Sequence, residues 1–194
     1  MAYESSDRSA RATKIVIAGG FGVGKTTMVG SVSEIAPLRT EELITEASEG
    51  VDDLSGVEQK RTTTVALDFG RITISPELIL YLFGTPGQDR FWFMWDELAR
   101  GAIGAVVLAD TRRLDSCFAA VDFFERRNLP FVVGVNCFDN AYRYGTEEVR
   151  GALDLDDHVP VLLCDARERE STKQVLIALL QHAMTEARMA GTVS

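Results

Sequence analysis

The sequence lacks a long hydrophobic run, an excess of basic residues and a cysteine pattern, and each absence excludes a class of protein. No apolar stretch approaches the roughly 20 residues that a membrane-spanning helix needs. The net charge of −9 over 194 residues argues against a nucleic-acid binder, because contact with a phosphate backbone requires a basic face. Three scattered cysteines fit neither a disulfide framework nor a zinc site.

Targeting signals are missing as well. The polar start of the chain is not a secretory signal, and neither an N-terminal Met-Gly nor a C-terminal prenylation cysteine is present. We therefore expect a cytoplasmic protein that is membrane-peripheral only through its partners. The length and the 46% hydrophobic content suit one globular domain. We place that domain at residues 14–190, after a polar, flexible arm at 1–13.

The strongest motif is the stretch at residues 19–26, Gly-Gly-Phe-Gly-Val-Gly-Lys-Thr, which fits the phosphate-binding P-loop pattern GxxxxGK[ST]. A short apolar strand precedes it, and a helix-compatible run from Lys25 to Ile35 follows. The glycines let backbone N–H groups close around an anion. Lys25 is expected at the β- and γ-phosphates and the Thr26 hydroxyl at Mg²⁺. The predicted phosphate-binding residues are Gly20, Gly22, Val23, Gly24, Lys25, Thr26 and Thr27.

The elements follow the order βαββαβαβαβα. This alternation predicts an α/β fold with a six-stranded, mostly parallel sheet and helices on both faces. A hairpin of residues 62–74 and 78–83 supplies one antiparallel edge strand, and the acidic segment 37–61 is predicted to be a long mobile loop with a helical turn around 41–47. Ligands of such sheets bind at the carboxyl ends of the strands. The polar motifs that fall at such ends are Gly19–Thr26, Gly84–Gln88, Asp110, Asn136–Asp139 and Asp165–Arg167.

The order and spacing of these motifs resemble the Ras-like small GTPases from Lys14 to about Ala187. Gly-Thr-Pro-Gly-Gln at 84–88 resembles DTAGQ, Asn-Cys-Phe-Asp at 136–139 resembles NKxD, and Asp-Ala-Arg at 165–167 resembles SAK. The resemblance implies a P-loop NTPase small G-domain that binds GTP or GDP with Mg²⁺ and hydrolyses GTP slowly.

The resemblance also assigns roles to single residues. It implies that Gln88 orients the attacking water, that Gly87 donates an N–H to the γ-phosphate, and that Thr64 closes on Mg²⁺. The carboxylate of Asp139, which follows Asn136, can accept both donors on the Watson–Crick edge of guanine, a pairing that adenine cannot reproduce. The remaining base contacts are implied for the Ala166 backbone N–H and for Arg167.

A narrower resemblance is to the bacterial small GTPases of actinobacterial conservon operons. It is carried by the glycine at 84 and by the threonine run before Ala-Leu-Asp-Phe-Gly at 66–70. It implies a switch in bacterial signal transduction that works with a roadblock-type regulator and a sensor-kinase-like protein.

Two positions depart from the family pattern. Gly84 stands where the family has the aspartate that holds Mg²⁺ through a water, and Cys137 replaces a lysine whose stem covers the base. Metal binding should weaken unless another acid reaches the site, and Asp68 and Asp110 are the candidates; a solvated or capping acid is the alternative for each. The predicted metal ligands are Thr26, Thr64 and Asp68.

Arg61 lies three residues before Thr64, the spacing at which heterotrimeric G-protein α subunits carry an arginine in cis. It is therefore a catalytic candidate beside Gln88 and Lys25, with a solvated loop arginine as the alternative. The aromatic run 91–95 indicates a partner-binding surface in addition to core positions. Both histidines are interpreted as structural.

Two other functions remain open. One is a nucleotide-binding scaffold or regulatory subunit with little or no hydrolysis, since the metal-holding aspartate is missing. The other is a ParA-like P-loop ATPase, suggested by the paired threonines after Lys25. That family's additional lysine near the start of the loop is absent, however, because Gly20 occupies its place.

Overall fold

The computed structural model describes residues 11–36, 38–45, 62–87, 93–139 and 141–192, without the side chains of 38–45, 62–66 and 192. The strands in this part of the chain are β1 (Arg11–Ala18), β2 (Leu38–Thr45), β3 (Thr62–Ser75), β4 (Leu78–Gly84), β5 (Ala102–Ala109), β6 (Phe131–Asn136) and β7 (Val161–Cys164). The helices are α1 (Lys25–Val32), α2 (Phe93–Ala99), α3 (Phe118–Arg126), α4 (Thr146–Ala152) and α5 (Arg169–Thr192), and a 3-10 turn at Leu114–Cys117 leads into α3.

The strands form one sheet in the order β2-β3-β4-β1-β5-β6-β7. The pairs β2–β3 and β3–β4 are antiparallel, and the other four pairs are parallel. The predicted fold class is therefore confirmed, and all six predicted strands are present. This arrangement brings the carboxyl ends of β1, β5, β6 and β7 to the same edge of the sheet.

The sheet has one strand more than the sequence predicts. Residues 38–45, which we expected in a loop with a helical turn, form the antiparallel edge strand β2, so β3 is not at the edge. The strand pairs with β3 from Leu38 opposite Phe69 to Thr45 opposite Thr62. Backbone hydrogen bonds hold such an edge strand, and they leave no hydrophobic pattern to read. Residues 46–61 of the predicted loop lie outside the described residues.

Strand β1 begins earlier than expected. Residues 11–13, assigned above to the arm, pair with Leu78, Ile79 and Leu80 of β4. The side chains of Arg11 and Ala12 are exposed, so this end of the strand carries no apolar signal. The rest of the predicted arm, 1–10, lies outside the described residues.

Helix α1 ends at Val32 and not at Ile35. Ser33 adopts an extended conformation with ψ 137°, and its hydroxyl accepts a hydrogen bond from the Arg71 N–H while donating to the Ile35 carbonyl. These bonds redirect the chain toward β3 at the point where the helix stops. Among the described helices, none combines the length and apolarity that a membrane crossing requires.

Apolar side chains cover both faces of the sheet, which confirms the predicted helices on both sides. One cluster packs α1 and α5 onto the sheet; it includes Ile15, Ile17, Met28, Val29, Leu80, Leu82, Leu108, Val175 and Leu179. The second packs α2, α3 and α4 onto the other face; it includes Val16, Trp95, Val107, Phe124, Phe131, Val133 and Val149. Two filled layers fix the strand ends at which the polar motifs lie.

The aromatic run divides between core and surface where it is described. Trp95 is 4% exposed and stacks on Phe124, with ring centroids 6.2 Å apart, whereas Phe93 is 57% exposed. Phe91 and Trp92 lie outside the described residues, so the partner-binding surface stays a prediction. His158 and His182 lie side by side, with ring centroids 5.9 Å apart, at the amino-terminal side of β7.

Replacing Phe124 by Ala should lower the free energy of unfolding by about 3 to 5 kcal/mol, because the ring is fully buried among other aromatic rings. Replacing Phe118, at the start of the same helix and 44% exposed, should cost less than about 1 kcal/mol. Urea denaturation of both variants measures the difference. Equal losses would mean that α3 does not pack as described.

Candidate functional site

The loop between β1 and α1 has the backbone of an anion-binding nest. Gly22 and Gly24 adopt left-handed conformations, with φ of 73° and 106°. A Cβ on Gly24 would lie 2.7 Å from the Asn136 amide nitrogen, so this position admits only glycine. The N terminus of α1 directly follows, which adds its unpaired N–H groups to the same concave surface. The P-loop residues thus lie around one concave surface, and their contact with phosphate stays a prediction.

Lys25 is buried beneath this loop. Its ammonium donates hydrogen bonds to the carbonyl oxygens of Gly19 and Gly20, both at 2.7 Å. Burial lowers the pKa of Lys25 to about 8, while the negative charge of Asp68 opposes that shift. The ammonium therefore lies in a desolvated position where a phosphate charge would favour its protonated form.

The acid nearest to Thr26 comes from β3. The Thr26 hydroxyl donates a hydrogen bond of 2.5 Å to Oδ2 of the buried Asp68. In the antiparallel β3–β4 register, Asp68 lies opposite Gly84. A Cβ on Gly84 would lie 2.9 Å from the Asp68 Cβ, so a side chain at 84 would displace this carboxylate. A side chain at position 84 of β4 and the carboxylate of Asp68 on β3 therefore exclude each other.

Asp110, the second candidate acid, is engaged elsewhere. Its buried carboxylate accepts bonds from the Arg112 backbone N–H and Nε at Oδ1, and from Nη2 at Oδ2. These hydrogen bonds hold the pKa of Asp110 below its usual value. The proposal of Asp110 as the replacement acid is therefore not supported, since both oxygens serve to fix Arg112.

Sequence reasoning missed the role of the two arginines after β5. The guanidinium of Arg112 lies 3.8 Å above the ring of Phe138, inside the 136–139 motif. Arg113 extends the other way, and its Nη2 donates a 2.9 Å bond to the carbonyl oxygen of Phe21 in the P-loop. The only sequence signal was the pair's position shortly after β5, which ends at Ala109.

Asn136 joins the two loops that the sequence assigned to nucleotide binding. This buried side chain donates from Nδ2 to the Val23 carbonyl at 2.9 Å and accepts at Oδ1 from the Ala166 N–H at 3.0 Å. The Ala166 N–H, which the resemblance assigned to the base, is thus bonded to Asn136. The amide fixes the distance between the P-loop and the loop after β7.

Asp139 is paired with Arg167 at the mouth of the site. The guanidinium donates to both oxygens of Asp139, at 2.7 and 3.1 Å, and also binds both oxygens of Asp165. Hydrogen bonds from Arg167 lower the pKa of each carboxyl, and the two carboxylates raise the pKa of Arg167. Asp139 is therefore ionised at neutral pH and held in one orientation.

The remaining predicted site residues are placed only in part. Gly87 lies against the P-loop, where an added Cβ would be 2.8 Å from the Lys25 ammonium and 2.9 Å from the Phe21 Cα. Thr27 is exposed on the first turn of α1. Thr64 belongs to β3, but its side chain is not described. Gln88 and Arg61 lie outside the described residues, so their catalytic roles stay predictions.

Comparison with solved structures identifies the fold. The G domain of the T. maritima FeoB iron transporter matches with a TM-score of 0.62 and 17% identity, covering 89% of this chain and 99% of that domain. The FeoB G-domain from Methanococcus jannaschii matches with a TM-score of 0.60 and 13% identity, covering 90% and 99%. The cytosolic domain of the T. maritima transporter in a GDP form gives 0.63 and 16%, and this chain spans only 64% of it.

Comparison of sequences identifies the family. An uncharacterised protein of Methanocaldococcus jannaschii is 30% identical over 128 residues, which cover 65% of this chain and 70% of that protein. The family described as "Conserved hypothetical ATP binding protein" matches residues 17–186. Neither comparison tests the narrower resemblance to the conservon-operon GTPases. The chain therefore belongs to this conserved hypothetical ATP binding protein family, and its fold is that of a P-loop G domain.

Proposed function

We propose that the chain is a guanine-nucleotide-binding molecular switch, which binds GTP with Mg²⁺ and slowly hydrolyses it to GDP in bacterial signalling. The bridge made by Asn136 carries this proposal. It holds a phosphate-binding loop and a carboxylate-bearing loop at one edge of the sheet, at a distance fixed by two hydrogen bonds. A nucleotide likewise has phosphates at one end, for the first loop, and a base at the other end, for the second.

The chemistry of Asp139 favours guanine. An ionised carboxylate offers about four lone-pair sites, and Arg167 occupies one on each oxygen. Arg167 holds the outward-facing pair of sites, which the parallel N1–H and amino donors of guanine also need, so guanine would replace Arg167 on Asp139 while Arg167 stays bonded to Asp165. Adenine presents an acceptor at N1 and cannot make both bonds. This chemistry favours GTP over the ATP that the family description names.

The donor set near Thr26 fits Mg²⁺. This hard cation prefers oxygen ligands and is usually held by one or two protein oxygens together with phosphates and waters. The Thr26 hydroxyl and the Asp68 carboxylate supply such oxygens 2.5 Å apart. No group of three or more acidic, histidine or cysteine side chains in the described part of the chain forms a metal cage. When bound, the ion would neutralise charge on the β- and γ-phosphates.

The switch proposal rests on Gly87. Because the backbone at Gly87 leaves no room for a Cβ beside Phe21 and the Lys25 ammonium, a third phosphate at Lys25 would displace this segment, whereas GDP would displace it less. A partner that reads this segment would distinguish the two nucleotides. A roadblock-type regulator and a sensor-kinase-like protein are the partners that the family resemblance implies, with a cytoplasmic or membrane-peripheral complex as the setting.

The first test is competition of GTP, GDP and ATP for a fluorescent GDP analogue on the purified protein. GTP and GDP should compete, and ATP should be at least about 100-fold weaker, because two charge-assisted bonds are lost. Asp139→Ala should remove that preference, whereas Asp156→Ala, which removes an exposed acid beside His158, should not. Preference of the wild-type protein for ATP would overturn the assignment.

The second test exchanges the acid between strands. Asp68→Ala should weaken the magnesium enhancement of GTP binding by about 10- to 100-fold, because Thr26 loses its partner. Gly84→Ala should act in the same direction, since its Cβ displaces Asp68. The double variant Asp68→Gly/Gly84→Asp should recover magnesium binding, because the carboxylate then comes from the adjacent position on β4. The measurement is GTP affinity as a function of Mg²⁺ concentration. If Asp68→Ala shows the same dependence on Mg²⁺ as the wild-type protein, Asp68 does not help to hold the metal.

The third test uses the low pKa of Lys25. Phosphate favours the charged ammonium, so binding raises the pKa from about 8 and takes up a proton wherever the unbound lysine is neutral. GDP affinity without added metal should therefore be flat below pH 7 and should fall above pH 8 by up to about tenfold per pH unit. Calorimetry at pH 9 in two buffers should show proton uptake. Lys25→Arg, which stays charged, should bind with no such fall; a flat wild-type profile refutes the mechanism.

A further inference from the structure

Arg113 lies at the end of the P-loop where the terminal phosphate of a nucleotide belongs. Lys25 marks that end, since the P-loop lysine contacts the β- and γ-phosphates. A Cβ on Gly87 would lie 2.8 Å from the Lys25 ammonium and 2.9 Å from the Phe21 Cα, so Phe21 lies at the same end. The Arg113 guanidinium donates directly to the Phe21 carbonyl, and its Nη2 lies 3.6 Å from the position of a Cβ on Gly22.

The arginine is only partly used by the protein. Its side chain is 53% exposed, and its Nη2 makes a long ion pair of 3.9 Å with the Asp110 carboxylate, whose oxygens also accept hydrogen bonds from Arg112. Among the residues that the structure describes, only Nη2 of its guanidinium donates a hydrogen bond. The donors on Nε and Nη1 of the fork are therefore available to an anion in the loop.

The side chain of the neighbouring Arg112, in contrast, is engaged by other groups of the protein. Arg112 donates from Nε and Nη2 to the buried carboxylate of Asp110 and covers the ring of Phe138. These contacts commit Arg112 to supporting the base-binding loop. Two adjacent arginines thus diverge, one held by a buried acid and the other directed at the phosphate loop with most of its donors available.

We propose that Arg113 is an arginine supplied in cis that binds the terminal phosphate of GTP and stabilises the charge that develops during its hydrolysis. This inference rests on the proposed function. The water oxygen bonds to the γ-phosphorus as the bond from that phosphorus to the β–γ bridging oxygen breaks, and the electron pair passes to the β-phosphate of GDP. The water protons leave with inorganic phosphate and the solvent. A guanidinium at Phe21 can offer two donors to the oxygens that gain charge.

This assignment differs from the one that the sequence suggested. Arg61 was the predicted arginine in cis, on the segment before Thr64, and it lies outside the described residues. Arg113 follows β5, which lies on the other side of β1 from β3. Variants of both arginines in one series distinguish the two sources.

Single-turnover hydrolysis of GTP with Mg²⁺ tests the proposal on the full chain. Arg113→Ala should lower the rate at least about tenfold, since arginines of this kind contribute larger factors elsewhere. Its affinity for fluorescent GDP should change less than about threefold, because GDP lacks the terminal phosphate. Arg113→Lys should keep part of the rate. Aluminium fluoride, which mimics the transferred phosphoryl group, should bind GDP-loaded wild-type protein more tightly than the alanine variant.

The control is Arg126→Ala, which removes the same charge from an exposed ion pair with Asp122 and should hydrolyse GTP like wild type. Equal weakening of GDP and GTP binding in Arg113→Ala would show that the arginine only braces the P-loop, and would overturn the proposal. An unchanged rate in Arg113→Ala with a loss in Arg61→Ala would assign the role to Arg61. Wild-type hydrolysis that Arg113→Ala leaves unchanged refutes the inference alone, whereas wild-type protein that fails to bind or to hydrolyse GTP contradicts the proposed function as well.

Discussion

The site depends on one buried amide. Asn136 is 7% exposed and satisfies both ends of its side chain, one on the P-loop and one on the loop after β7. An unpaired amide at that depth would cost about 1 to 3 kcal/mol, so the two loops are most stable where both bonds form. The close approach of the amide also requires glycine at position 24, since a Cβ there would collide with it. The same contact thus fixes the loop distance and the backbone of the phosphate nest.

A second constraint is the exclusion between positions 68 and 84. Opposed residues of an antiparallel pair share one face of the sheet, and the space there holds one carboxylate. Placing the acid on β3 requires glycine on β4, and it puts the acid in direct contact with the Thr26 hydroxyl. The departure from the Ras-like pattern at Gly84 therefore leaves the space that the Asp68 carboxylate occupies. Loss of the aspartate on β4 alone does not imply loss of the metal site.

The sequence predicts those parts of the protein whose signals are contiguous. The P-loop and the 136–139 motif are short runs with fixed spacing, and the central strands are short apolar runs between turn signals. Strand β2 has no such signal, because its pairing with β3 is made by the backbone. The choice between Asp68 and Asp110 needed the strand register and the position of Arg112, and neither is encoded locally. The pairing of Asp139 with Arg167 likewise arises only when β6 and β7 are adjacent.

The segment after β5 contacts both the P-loop and the loop after β6. Asp110 is buried and anchors Arg112, which covers Phe138 next to Asp139, while Arg113 reaches Phe21 in the P-loop. A displacement of the segment would therefore move a contact at each end of the nucleotide site. Asn136 connects the P-loop to the loop after β7 from within the core, whereas this segment connects the P-loop to the loop after β6 at the surface. Because Asn136 is buried whereas Arg112 and Arg113 are half exposed, a partner protein that bound this segment would act on the P-loop and on the loop after β6 together.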